Sequence, residues 1–203
     1  MEIARYAVEV AKEGEAVACG AYLAMIRAFK KGENAFDCLN DFLGLDLPVT
    51  NYLQLYQNHR PQIRLPEDVK ETLSTLKSAG YKLALISDGR SLQQRNKIHA
   101  LDLTRWFDTE DIIISEEFGS EKPSPKNYEY FMNRYPGTQY TYVGDNPQKD
   151  FLAPNHLGWE TICLLDNGCN IHKQDFTLPE IYLPKKKIKG LSEICKIIDI
   201  HSA

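Results

Sequence analysis

Apolar side chains recur three or four positions apart through residues 1–58 of the chain. One such set contains Tyr22, Ile26 and Phe29, and a glycine follows each of three consecutive apolar segments. This spacing places the apolar residues on one face of a helix, and glycine commonly ends helices. The pattern predicts a small bundle of short helices with almost no strand.

Two prolines in the segment HRPQIRLP interrupt this pattern, and the chain then alternates between two periods. Helical spacing predicts helices at 66–80, 91–101, 126–135 and 191–200, and Ser91 is the expected N-cap of the second. Short apolar runs predict strands at 81–87, 111–115, 139–144 and 161–166. Lys185, Lys186 and Lys187 read as a solvated loop. Strands separated by helices are typical of a parallel sheet covered on both faces, so we expect an α/β fold.

Composition narrows the class of protein. The 203 residues are 43% hydrophobic and carry a net charge of -4, which argues against disorder and against binding to nucleic acid. There is no apolar stretch of about 20 residues and no apolar core of a signal peptide, so we expect a soluble cytoplasmic protein that does not bind membranes. The five cysteines include no Cys-x-x-Cys pair, which disfavours a disulfide framework or a thiolate zinc site.

Polar residues suited to phosphate chemistry follow three of the predicted strands. Ligands bind at the carboxyl ends of strands in an open parallel sheet, so these segments should meet at one edge. They supply Ser87, Asp88 and Gly89 after the first strand, Lys122 after the second, and Asp145 and Asp150 after the third. A hydroxyl and an ammonium can hold phosphoryl oxygens, and carboxylates can hold Mg²⁺.

The segments LALISDG, GSEKPSP and YVGDNPQKDF resemble the second, third and fourth motifs of the haloacid dehalogenase (HAD) superfamily. The resemblance is close over residues 59–166 and looser over the N-terminal helices, which resemble the helical cap that many members insert after their first strand. It implies a HAD-like Rossmannoid parallel sheet in residues 65–203, preceded by a helical cap in residues 1–64.

The family implies a magnesium-dependent phosphatase that acts on a small phosphorylated metabolite. By this resemblance Ser87 would hydrogen-bond the phosphoryl oxygens beside Asp88 and Gly89, and Lys122 would neutralise charge, so that Ser87 and Lys122 are the candidate catalytic residues.

The same resemblance assigns the metal ligands. Asp145 would coordinate Mg²⁺, and Asp150 would assist directly or through water. The cap would close over the site and select the substrate. Whether the protein forms a homo-oligomer stays open.

The family's first motif, an apolar strand that ends in Asp-x-Asp, has no counterpart in residues 1–86. The nearest match begins at Asp46, but Pro48 stands where the second aspartate belongs. We therefore expect the central strand to be missing between the strands that end at Ser87 and Gly144. Without the attacking aspartate we also expect this chain to be inactive.

Three interpretations remain open. The chain is a truncated HAD-type phosphatase whose first strand lies upstream of Met1, or a non-catalytic relative that binds a phosphorylated ligand or a protein partner. The third, least favoured, is an unrelated α/β binding module such as a receiver-like domain. Asp88 is a poor replacement nucleophile, because an aspartate in a turn need not face the phosphate.

Overall fold

The computed structural model describes residues 1–168, 170 and 173–198. The chain divides into two compact units, Met1–His59 and Arg60–Ala203. The predicted helix at 191–200 is described only as far as residue 198, and its last two residues lie outside the described part. Over the described residues, every helix is too short or too polar to cross a lipid bilayer.

Four helices build the first unit, as the apolar spacing predicts. They are α1 (Glu2–Val10), α2 (Glu15–Lys30), α3 (Ala35–Leu43) and α4 (Val49–Asn58). Tyr52 is fully buried at their centre, and its hydroxyl donates to Asn40 Oδ1 at 2.6 Å. Phe29 departs from the expected inward face of α2, because it is 61% exposed. The assignment of this unit as a cap stays a prediction.

The second unit alternates strands and helices. Its strands are β1 (Leu85–Ser87), β2 (Ile112–Ile114), β3 (Thr141–Gly144), β4 (Glu160–Leu164) and β5 (Lys186–Ile188). Its helices are α5 (Glu67–Ser78), α6 (Ser91–Ala100), α7 (Ser115–Phe118), α8 (Lys126–Arg134), α9 (Pro147–Asp150), α10 (Leu152–His156) and α11 (Ile194–Ile197). The α/β class predicted from the alternation is therefore confirmed.

In the described part of the second unit the strand pairs are parallel and form two separate sheets. β1 pairs with β2, and β3, β4 and β5 pair in that order. Ile86 of β1 and Tyr142 of β3 pack on the same apolar cluster around Tyr128, so the two sheets share a core. Over the described residues no ladder joins β1 to β3, and the family resemblance places a further strand between these two.

Two local expectations are wrong. The lysine run is not a solvated loop, because Lys186 and Lys187 belong to the edge strand β5, which Ile188 anchors in the core at 1% exposure. Lysines on an edge strand discourage pairing with other chains. Ser91 is the first residue of α6 rather than its N-cap, and its hydroxyl bonds Glu117 Oε1 at 2.5 Å instead.

Candidate active site

The segment after β1 is shaped around a glutamine of α6. The Ser87 hydroxyl donates to Gln94 Oε1 at 2.9 Å. Gly89 has a φ of +138°, and a Cβ at this position would lie 2.6 Å from Gln94 Nε2. The Gly89 N–H donates to Ser115 Oγ at 2.9 Å. The positive φ therefore favours glycine at 89, and the Gln94 amide lies close against it.

Lys122 connects the ends of the two sheets. Its backbone N–H donates to Asp88 Oδ1 at 3.1 Å, which ties it to the segment after β1. Its Nζ donates to Asp150 Oδ1 at 2.7 Å, which ties it to the segment after β3. The Lys122 side chain is only 15% exposed and that of Asp150 only 2%. A buried ion pair with additional hydrogen bonds therefore connects the segments that follow β1 and β3.

The surroundings fix the protonation of these groups. Burial alone would lower the pKa of Lys122, but the attraction and hydrogen bond of Asp150 outweigh it and raise the pKa. Burial, together with the charge of Asp150, raises the pKa of Tyr142 well above its usual value. The Tyr142 hydroxyl lies 3.4 Å from both Lys122 Nζ and Asp150 Oδ1. The site thus holds a charged ammonium beside a neutral phenol.

Asp150 organises the segment after β3. Its Oδ2 accepts the backbone N–H groups of Asp145 at 2.9 Å and Asn146 at 2.8 Å. A Cβ on Gly144 would lie 2.6 Å from this same oxygen, so only glycine lets the carboxylate come so close. Both oxygens of Asp150 are thus occupied by donors from the protein, which suits a residue that positions the segment.

Asp145 is exposed, and within the described residues its carboxylate has no hydrogen-bond or ion-pair partner. Over these residues there is no cluster of three or more acidic, histidine or cysteine side chains that could hold a metal. Mg²⁺, however, is usually held by one or two carboxylates together with water and phosphate oxygens. The free carboxylate of Asp145 fits such a site, whereas Asp150 fits the role of its support.

The structure brings together the sequence-predicted site residues of all three segments. Asp88, Lys122, Asp150 and the backbone of Asp145 form one chain of hydrogen bonds, and Ser87 adjoins Asp88 at the end of β1. Among these residues the Lys122 ammonium pairs with Asp150, whereas the Asp145 carboxylate has no partner in the described part of the chain. The roles assigned to these residues stay predictions.

Three further residues of the site were not found from the sequence. Gln94 follows Ser87 by seven residues on the next helix, and Tyr142 precedes Gly144 by two on the same strand, so both lie at spacings that could have been examined. Gln174, which donates to the Asp145 carbonyl at 2.7 Å, lies 29 residues further along the chain. No motif or periodicity marks it.

Comparison with known proteins agrees with this geometry. The sequence profile of the haloacid dehalogenase-like hydrolases matches residues 30–164. The glyceraldehyde 3-phosphate phosphatase of Methanocaldococcus jannaschii is 37% identical over 139 residues, which cover 66% of this chain and 60% of that protein. That of Methanopyrus kandleri is 34% identical over 97 residues, 47% of this chain and 41% of that protein. The chain therefore spans about half the length of these relatives.

Solved structures show the same fold. A HAD phosphatase from Thermococcus onnurineus superposes with a TM-score of 0.56 at 21% identity, over 88% of this chain and 86% of that one. The HAD hydrolase YfnB from Bacillus subtilis superposes with a TM-score of 0.64 at 18% identity, over 98% and 90% of the two chains. The profile match covers well over half of the sequence, and the chain belongs to the haloacid dehalogenase-like hydrolase family.

Proposed function

We propose that this chain carries the phosphate- and magnesium-binding residues of a phosphatase that hydrolyses a small phosphomonoester. The observation that carries the proposal is the buried Lys122, which joins Asp88 to Asp150 next to the unpartnered carboxylate of Asp145. A fixed ammonium beside an exposed carboxylate is suited to hold a phosphoryl group and a divalent cation together.

Each residue has a role that follows from its contacts. The raised pKa of Lys122 keeps its ammonium charged, so that it offsets the negative charge of a phosphoryl group. The Gly89 N–H is already donated to Ser115, and the Ser87 hydroxyl is another donor at this strand end. Because Ser87 donates to Gln94 Oε1, a half-turn of the Gln94 amide would present Nε2 instead and free the Ser87 proton for the phosphoryl oxygen.

Phosphatases of this family are generally metal-dependent, and Mg²⁺ is the ion that carboxylate oxygens favour together with phosphate. Bound there, the ion would polarise the phosphoryl group and neutralise its charge. Asp145 would hold it with an otherwise free carboxylate. Asp150 would keep Asp145 in place through the backbone N–H groups of the segment.

The relatives support a small phosphorylated carbohydrate as the substrate. Two of them are glyceraldehyde 3-phosphate phosphatases, and a ribulose-1,5-bisphosphate 5-phosphatase of Halopiger xanaduensis is 30% identical over 103 residues, 50% of this chain and 42% of that protein. These substrates share a short hydroxylated carbon chain that carries a phosphate ester. We propose a substrate of that class for the site.

We further propose that this chain binds phosphate and Mg²⁺ without turnover. The HAD resemblance assigns the attack on phosphorus to an aspartate of the first motif, and residues 1–86 contain no such motif. Both carboxylate oxygens of Asp150 are occupied by donors, so Asp150 is not a free nucleophile. The second candidate function is that of a non-catalytic protein that binds a phosphorylated ligand. The absence of the first motif from residues 1–86 favours it.

Isothermal titration with inorganic phosphate in the presence of Mg²⁺ tests the binding function. We expect Lys122→Met to abolish phosphate binding, while Lys126→Met, the same change at an exposed lysine of α8, leaves it intact. A folded wild-type chain that binds neither phosphate nor Mg²⁺ would refute the proposal. Phosphate release from glyceraldehyde 3-phosphate that requires Mg²⁺ and is lost in Asp145→Asn would support the phosphatase site but refute the absence of turnover.

A further inference from the structure

Gln174 connects the carboxyl ends of β3 and β4. Its Nε2 donates to the carbonyl of Asp145 at 2.7 Å and to the carbonyl of Leu164 at 2.8 Å. Its Oε1 accepts the N–H of Asp166 at 3.0 Å. One side-chain amide therefore satisfies three backbone groups at the carboxyl ends of two neighbouring strands.

The peptide units on either side of the Asp145 Cα are held by the side chains of Asp150 and Gln174, and Asp150 Oδ2 also accepts the N–H of the second unit, that of Asn146, at 2.8 Å. Asp150 Oδ2 accepts the Asp145 N–H at 2.9 Å, and Gln174 Nε2 donates to the Asp145 carbonyl. The side chain of Asp145 itself has no partner in the described part of the chain. Its direction is thus set by the backbone, and the backbone is set by these two side chains.

We propose that Gln174 is a positioning residue that fixes the Asp145 carboxylate for a divalent cation. The inference rests on the proposed function, because it takes Asp145 as the metal ligand. Side chains that orient a metal ligand are commonly worth about 10- to 100-fold in metal affinity. Here the orientation acts through the main chain of the ligand rather than through its carboxylate.

The segment that carries Gln174 is anchored independently of the amide. Two residues further on, the ring of Phe176 lies under Lys187 of β5, with Nζ 3.8 Å from the ring centroid, a cation–π contact. Replacement of Gln174 by leucine therefore removes the hydrogen bonds at the Asp145 end while this contact still fastens the segment to β5. The substitution therefore tests the hydrogen bonds of the Gln174 amide and not the attachment of the segment to β5.

Asn155 of α10 offers a matched control. Its Nδ2 donates to the carbonyls of Ile181 and Leu183, each at 2.8 Å, and its Oδ1 accepts the Thr161 hydroxyl at 2.8 Å. Asn155→Leu thus removes three hydrogen bonds near the amino end of β4. Gln174→Leu removes three bonds to backbone groups and one long bond of 3.5 Å from Nε2 to Cys163 Sγ. A purely structural loss should be similar in both variants.

The experiment is a titration of the folded chain with Mn²⁺, followed by electron paramagnetic resonance of the free ion, and repeated with Mg²⁺ as competitor. We expect Gln174→Leu to weaken Mn²⁺ binding about 10- to 100-fold, and Asn155→Leu to leave it within about twofold. In Asp145→Asn, the added Gln174→Leu change should have no further effect. If Gln174→Leu does not fold, Gln174→Met, which keeps the length of the side chain, is measured in its place.

Each result decides a separate claim. Weaker binding in Asp145→Asn with wild-type binding in Gln174→Leu would overturn this inference and leave the proposed function standing. Equal weakening in Gln174→Leu and Asn155→Leu would also overturn it, because any loosening of the unit would then suffice. No Mn²⁺ binding by the wild-type chain, or no effect of Asp145→Asn, would overturn the proposed metal site and this inference with it.

Discussion

Among the described residues of the second unit, one aspartate is buried near the amino ends of the strands and one near the carboxyl ends. The two carboxylates have similar hydrogen-bond partners. Asp111, just before β2, is 0% exposed, and Asp150, beyond β3, is 1% exposed. Asp111 Oδ1 accepts from Arg134 Nε at 3.0 Å and from the Tyr135 hydroxyl at 2.8 Å. Each carboxylate therefore has a basic partner and a tyrosine, as expected for a buried charge.

The two ends differ in how their remaining charges are matched. At the amino end, Lys82 pairs with both Asp111 and the exposed Asp108, and Arg134 pairs with both Asp111 and Glu110. At the carboxyl end, Lys122 pairs with Asp150, whereas the exposed carboxylate of Asp145 has no hydrogen-bond or ion-pair partner in the described residues. The residue types at the two ends do not tell a structural network from a binding site. The distinguishing feature is an exposed charge that has no partner.

The largest effect on stability is expected at the amino end. Asp111→Ala should lower the free energy of unfolding by about 3 kcal/mol, because it removes the charged hydrogen bonds of Arg134 and Lys82 and that of the Tyr135 hydroxyl, while both partly exposed cations keep a second partner. Urea denaturation measures this loss. Asp108→Ala, at an exposed position, should cost much less, and the folded fraction of Asp111→Ala should bind Mg²⁺ as the wild type does. Equal losses in the two variants would contradict the structural role of the buried network.

Lys122→Met should have a smaller effect on stability than Asp111→Ala. Asp150 keeps its two backbone N–H donors and loses only the charged hydrogen bond, worth about 2 kcal/mol. Phosphate binding should nevertheless disappear in this variant. A stability loss as large as that of Asp111→Ala would show that the carboxyl end is as much a structural network as the amino end.

Alkaline pH should weaken the carboxyl end first. Burial, with the charges of Asp145 and Asp150, raises the pKa of Cys163 from near 9 to about 11. The unfolded chain therefore releases this proton at lower pH than the folded chain, so stability is full below pH 9 and falls as pH rises towards 11. The pKa of Lys122 is raised from 10.5, so its contribution is full below pH 10.5 and is lost as pH rises above that.

Denaturation of the wild type and of Cys163→Ala between pH 8 and 10 isolates this thiol. The wild type should lose more stability over this interval, by at most about 1.4 kcal/mol per pH unit. Identical slopes in the two proteins would show that the surroundings of Cys163 do not raise its pKa.

The smallest expected effect is at Asn127, in the first turn of α8. This residue is fully buried, and neither of its side-chain amide atoms has a hydrogen-bond partner among the residues that the structure describes. Asn127→Leu should raise the free energy of unfolding by about 1 kcal/mol, because a buried polar group without partners is costly. A lower melting temperature in this variant would show that the amide is satisfied in the folded protein.

The sequence predicted the elements whose signals are local. The apolar run at 111–115 became β2, and the helical spacing at 126–135 became α8 with nearly the same bounds. The first predicted strand began at residue 81, yet β1 begins at Leu85, because its ladder extends only as far as the three residues of β2. The length of a strand depends on the partner with which it pairs, and the periodicity of one segment carries no information about that partner.

The candidate site was predictable where it follows strand ends. Ser87, Lys122 and Asp145 each come after an apolar run, and parallel topology brings such ends together. Contacts between distant segments were not predictable. Gln174 reaches back 29 residues to Asp145, and β5 is a lysine-bearing strand recognisable only once β4 is there to pair with it.

One titration tests most directly whether unmatched charge makes the carboxyl end a cation site. Isothermal titration with Mg²⁺ in the presence of inorganic phosphate is carried out on the wild type, Asp145→Asn and Asp108→Asn. Both substitutions remove one negative charge from an exposed aspartate, at opposite ends of the strands. We predict that Mg²⁺ binding is lost in Asp145→Asn and unchanged in Asp108→Asn. Binding that survives in Asp145→Asn, or that falls equally in both variants, would contradict the assignment of the site.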